Sequence, residues 1–168
     1  MKIIAFPFAG GDRYCFNFLN NSIPKPYELH TYELPGRGVR IKEKLLSDIH
    51  AIVEDAVTWM KLLVDKDYIV YGHSMGGLIG YLALKKLRAI GWTSPLHFIV
   101  TSSAAPISRK FRDDPYHLMP KEIFYENLQS LGGCPPQIFQ HVAITEFFEP
   151  ILRADFKAVE NYLYKEDT

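Results

Sequence analysis

Cysteine is scarce in this chain: Cys15 and Cys134 are the two thiols in 168 residues, far apart and in no CxxC pair. That argues against a disulfide framework and, with no histidine at metal-ligand spacing, against a zinc site, so no cofactor or metal is expected and a reducing cytoplasm fits best. Net charge is lacking too, because 19 basic residues balance 19 acidic ones. With no overall field to hold a polyanion, neither nucleic acid nor an acidic membrane is an expected partner. No apolar run approaches the roughly 20 residues of a membrane helix, and the apolar N-terminal stretch is too short for a signal peptide. Internal repeats and low-complexity linkers are missing as well.

What the chain does have is the material of one core, 48% hydrophobic and 14% aromatic. Residues 2–8 form a short apolar run that stops at Ala9, Gly10 and Gly11, a buried strand ending in a glycine turn. A second strand is expected over residues 27–33, closed by a loop at Pro35, Gly36 and Gly38. Apolar residues then recur with helical period from Leu45 through Ile49, Ile52, Val53, Ala56, Val57 and Met60 to Leu63, which predicts a helix over 45–64. A β run at 67–71, a tight turn at 72–77, a helix at 78–88 and another buried strand at 96–101 follow. Strands apolar on both faces and alternating with helices predict an α/β protein with a mostly parallel sheet covered by helices on both faces. Residues 1–105 are expected to be this core. Residues 106–165 read instead as a helical lid insertion, with helices at 120–131 and 141–164, the second interrupted near Pro150. Phe124, Tyr125, Phe139, Phe147 and Phe148 are candidates to line the lid, although each taken singly is more often an ordinary core aromatic.

The chemistry concentrates at Gly72, His73, Ser74, Met75 and Gly76, a GxSxG pattern. So short a pattern arises by chance, and context decides its meaning. Here an apolar strand leads into it and an amphipathic helix follows, the arrangement of a nucleophile elbow in which a sharp turn exposes the serine Oγ. Ser74 is the expected nucleophile. An elbow hydrolase binds the oxyanion of its tetrahedral intermediate with two backbone N–H groups, one from the residue after the serine and one from the turn after an early strand. By position these are Met75 and Ala9, with a plain strand-end turn as the bland alternative for Ala9.

Five segments in order resemble the signatures of type II thioesterases, the editing enzymes of nonribosomal peptide and polyketide synthesis. They are Phe6 to Gly11 (FPFAGG), Glu33 to Arg40 (ELPGRGVR), Gly72 to Gly77 (GHSMGG), Leu131 to Pro135 (LGGCP) and Leu152 to Phe156 (LRADF). The resemblance implies an α/β-hydrolase fold, and hydrolysis by Ser74 of acyl groups from the phosphopantetheine arm of an acyl or peptidyl carrier domain. It also implies that the triad acid and histidine, which follow the lid in that family, lie beyond Thr168, and that the last strands of the sheet are missing.

The residues agree with that placement, because the base must follow Ser74 and neither His97, His117 nor His141 sits in a loop after a late strand. His73 adjoins the nucleophile but points away from it and is expected to pack or to make a supporting hydrogen bond. Asp113, Asp114, Asp155 and Asp167 read as lid or surface carboxylates, Asp155 for capping or an ion pair. Arg37, Arg40 and Lys42 are either a contact for an acidic carrier face or, more commonly, a solvated charge run. An unpaired sheet edge is expected to favour association. Two alternatives remain open: a non-catalytic carrier-binding relative, and a medium-chain acyl thioesterase or carboxylesterase.

Overall fold

Among the described residues four short strands carry the sheet: β1 (Lys2–Phe6), β2 (Glu28–Thr31), β3 (Tyr68–His73) and β4 (His97–Thr101). The computed structural model describes residues 1–64, 66–109, 112–132 and 141–165, and in it the strands lie in the order β2-β1-β3-β4, all parallel. Parallel neighbours require crossovers. The helix α1 (Ile49–Leu63) carries the chain from β2 to β3, and α2 (Met75–Ala89) carries it from β3 to β4. Phe6 is in register with Gly72, and His73 with Thr101, so β1, β3 and β4 finish side by side. The carboxyl ends of such strands are where open parallel sheets place their ligands.

The predicted helix over 45–64 begins four residues later, at Ile49, for a local reason. Asp48 stops the helix from extending backward by accepting the Ala51 N–H at 2.8 Å, the work of an N-cap. The apolar stripe behaves as its period requires: Ile49, Ile52, Val53, Ala56, Val57 and Met60 are buried. They meet Ile4, Phe6, Tyr68 and Val70 from the sheet and Leu78, Ile79 and Ala83 from α2 in one core. The Phe6 ring lies edge-on to Tyr32, 5.6 Å between centroids, at the middle of it. On the other face of β3, Tyr71 is half-buried under the ring of Phe16.

The strand at 96–101 is not the buried strand its composition suggests. Ile99 is 50% and Val100 43% exposed although they point to opposite faces. Among the described residues β4 pairs with β3 alone, so it is an edge, and an edge is covered only from one side.

Beyond β4 the described residues include the single 3-10 turns Pro106–Ser108 and Tyr116–Leu118 and then α3 (Lys121–Ser130) and α4 (Val142–Glu160). The expected interruption at Pro150 does not occur, because α4 runs through it. Proline frees the carbonyl four residues earlier, here that of Glu146, and both residues are exposed, so water can satisfy it. Phe124 of α3 is fully buried against Phe156 of α4, while Phe147 and Phe148 stand exposed as an edge-to-face pair. Ala158 and Tyr162 join the main core. Phe139 and Cys134 lie outside the described residues. No helix among the described residues is long and apolar enough to cross a membrane.

Candidate active site

Ser74 stands alone between the last residue of β3 and the first of α2, with φ 53° and ψ −114°. A non-glycine residue held there costs about 1–3 kcal/mol, so the surrounding structure must enforce it. It does so through glycines. A Cβ on Gly72 would meet Gly77 Cα at 2.7 Å, one on Gly77 would meet Ser103 Cβ at 2.8 Å, and one on Gly76 would overlap the Phe6 carbonyl. Their absence lets the first turn of α2 seat against the ends of β1, β3 and β4. The elbow is then pinned by the Ser74 N–H, which donates to the Thr101 carbonyl at 2.9 Å. Although Ser74 occupies the N-cap position, its hydroxyl makes no capping bond, and Oγ is left for other work at the positive end of a 15-residue helix.

Beside the elbow, the chain leaving β1 turns back on itself. The Gly11 N–H donates to the Phe8 carbonyl at 2.9 Å and Gly10 has φ +82°, which makes residues 8–11 a type II turn with Ala9 at its second position. The Gly10 N–H is committed, donating to Asp155 Oδ2 at 2.7 Å. Among the described residues no acceptor takes the N–H of Ala9 or of Met75. An oxyanion between turn and elbow would find those two donors available.

His73 has its own partners. Its Nδ1 shares a 2.8 Å hydrogen bond with Thr101 Oγ1 and its ring lies edge-on to Phe8 at 5.7 Å, a packing and supporting role. His97 is exposed on β4, His117 bonds Glu160 Oε2 through Nδ1 at 2.7 Å, and His141 is exposed at the start of α4. Asp113 and Asp114 are exposed, and Asp167 lies outside the described residues. Among the described residues no carboxylate or imidazole is hydrogen-bonded to Ser74 Oγ. Cys15 offers no second nucleophile, because burial, helped by Asp12, pushes its thiol up to about 12.

The structure corrects two readings of charge. Arg37 is no solvated cation: it is 3% exposed, and it forms a bidentate pair with Asp155, Nη1 to Oδ2 and Nη2 to Oδ1 both at 2.7 Å. Asp155, on α4, is an ion-pair residue as expected but not a surface one, being 0% exposed. Arg40 is likewise engaged, donating to Asp55 at 2.6 and 2.8 Å and to Glu43, while Lys42 is exposed. Burial pushes the Asp55 carboxyl up, yet the hydrogen bonds from Arg40 and Tyr32 prevail and hold it below the ordinary carboxylate range. The Tyr32 hydroxyl is in turn raised, by burial first and by Asp55 second. The Arg37–Asp155 pair could not be read from the sequence because charges separated by 118 residues leave no spacing signal.

The sequence matches the Thioesterase domain family over residues 1–168. It is 33% identical over 167 residues to gramicidin S biosynthesis protein GrsT of Aneurinibacillus migulanus, an alignment covering 99% of this chain and 65% of GrsT. It is 29% identical over 165 residues to the medium-chain S-acyl fatty acid synthase thioesterase of Rattus norvegicus, covering 97% of this chain and 63% of that one. The solved RedJ thioesterase of the prodiginine pathway in Streptomyces coelicolor superimposes with a TM-score of 0.90 at 28% identity, over 99% of this chain and 65% of RedJ. The chain therefore spans 63–65% of the length of these relatives. On this match, and on the serine elbow at the ends of a parallel sheet, the chain belongs to the thioesterase-domain family and has an α/β-hydrolase fold.

Proposed function

We propose that this chain is the nucleophile-bearing part of a type II thioesterase that clears acyl groups from the phosphopantetheine arm of carrier domains in nonribosomal peptide or polyketide synthesis. The observation that carries the reading is Ser74, strained at the elbow with its hydroxyl uncommitted and the turn at residues 8–11 beside it. In this reading Ser74 Oγ attacks the thioester carbonyl carbon, and the N–H groups of Ala9 and Met75 hold the oxyanion that forms. The carbon–sulfur bond then breaks, the thiol leaves with a proton, and water releases the acid from the acyl-serine. The base and its supporting acid are assigned to sequence beyond Thr168, and residues 106–165 to a lid over the acyl chain. A cytoplasmic setting accords with carrier domains as the partner. A second reading, a medium-chain fatty acyl thioesterase, is favoured by the likeness to the rat enzyme, and acyl-length preference separates the two.

The test is intact mass after incubation with a serine-reactive fluorophosphonate, run alongside hydrolysis of an acyl-pantetheine thioester. Slow labelling confined to Ser74 is expected, abolished in Ser74→Ala, with turnover about 10⁴- to 10⁶-fold below that of a complete serine hydrolase. Rapid steady turnover would place the base within these 168 residues. Labelling that survives in Ser74→Ala would remove the nucleophile assignment.

A further inference from the structure

The turn at residues 8–11 is gripped from outside the sheet by one helix. Asp155 and Leu152 lie three residues apart on α4 and so share a face. The Asp155 carboxylate takes the Gly10 N–H at 2.7 Å, and Leu152 Cδ2 lies 2.7 Å from where a Gly10 Cβ would stand. Arg37 completes the grip, since the Nη1 that pairs with Asp155 also donates to the Gly11 carbonyl at 3.2 Å. A carboxylate this buried requires a counter-charge, and the bidentate guanidinium supplies it.

A β-turn of this kind has a second state, in which the central peptide rotates and the turn changes from type II to type I. Rotation would carry the Gly10 N–H away from Asp155 and bring the Ala9 carbonyl toward the carboxylate, where like partial charges repel. That rotation is taken up by Ala9 ψ and Gly10 φ and leaves the Phe8–Ala9 peptide as it was, so what α4 fixes for the Ala9 N–H is the place of the whole turn, which Asp155 and Leu152 seat against the helix. We propose that Asp155, held by Arg37, is a positioning residue: it anchors the turn at residues 8–11 to α4 at the place that presents the Ala9 N–H to Ser74, so that acylation of Ser74 depends on how α4 docks. This rests on the reading of Ser74 as nucleophile and Ala9 as oxyanion donor.

The experiment uses the 168-residue protein and two readouts. The Gly10 amide resonance in a ¹H–¹⁵N spectrum is expected far downfield and slow to exchange, because it donates to a charged acceptor, and Asp155→Asn is expected to move it upfield and speed its exchange. In fluorophosphonate labelling of Ser74, the same variant is expected to lower kinact about 10- to 100-fold with KI unchanged, the scale of a small misplacement of a catalytic group. Arg40→Gln, which breaks the separate pair with Asp55, should lower stability without changing kinact, and Arg37→Lys, which keeps the charge but loses the fork, should fall between wild type and Asp155→Asn. A Gly10 amide indifferent to Asp155→Asn overturns the proposal, as does a released amide with unchanged kinact. If Asp155→Asn does not fold, Arg37→Lys decides by the same two readouts. Wild-type protein unlabelled at Ser74 would instead sink the nucleophile reading, while the amide would still report whether Asp155 holds the turn.

Discussion

The smallest residues at the elbow carry the tightest constraint. Gly76 sits where helix α2 touches the end of β1, and any side chain there would overlap the Phe6 carbonyl. Gly76→Ala is therefore expected to cost roughly 1–3 kcal/mol of stability, because backbone rather than a flexible side chain must yield. The shift would fall on the geometry that holds Ser74 at φ 53°, so labelling of Ser74 should slow by more than the lost stability explains. Thermal melts and labelling rates on the same preparation check both. Gly91, whose added Cβ would meet nothing within 4 Å, provides the contrast in space, although its φ of +72° keeps even that position from being free of strain.

At the scale of elements, α1 is tied to the loop before it by charge as well as by its apolar stripe. Asp55 on α1 accepts hydrogen bonds from Arg40 and from the Tyr32 hydroxyl, which joins helix, loop and the end of β2. The Asp55 carboxyl is held below its ordinary value, so its folded form prefers the ionised state more than the unfolded chain does. Its contribution to stability is then fully present above about pH 3.9, the unfolded carboxylate value, and is lost as the pH falls through the lower folded value. Melting temperature should drop as the pH is taken from 5 toward 2, and Asp55→Asn should flatten that portion of the curve while lowering the plateau. A variant as steep as wild type would show that other carboxylates carry the acid response. The start of α1 and the continuity of α4 through Pro150 are element-scale facts too. Asp48 could have been read as a cap from its residue type directly before Ile49, whereas the tolerance of Pro150 depends on which way α4 faces, a property no local pattern contains.

For the molecule as a whole, the exposed edge is the feature with the plainest consequence. Leu96, Ile99 and Val100 leave apolar surface on and around β4, and among the described residues nothing pairs with the strand's outer row of backbone groups. The 168-residue chain is expected to self-associate with rising concentration, and Ile99→Lys, which sets a charge on that edge, should shift light-scattering mass toward the monomer without lowering the melting temperature by more than a degree or two. An unchanged mass would place the association elsewhere. Sequence by itself determined the order of strands and helices, the parallel sheet, the elbow at Ser74 and the neighbouring glycine turn, because each is written in contiguous residues: a hydrophobic period, a cap, a glycine where no Cβ fits. Only the tertiary structure decided that Arg37 is buried rather than solvated, that it meets Asp155 across 118 residues, that Gly10 rather than Ala9 spends its N–H on that carboxylate, and that the strand at 97–101 is half-exposed. Pairing between distant charges and the covering of a strand's faces depend on which elements become neighbours, and that is settled by the packing of the whole chain, not by any stretch of it.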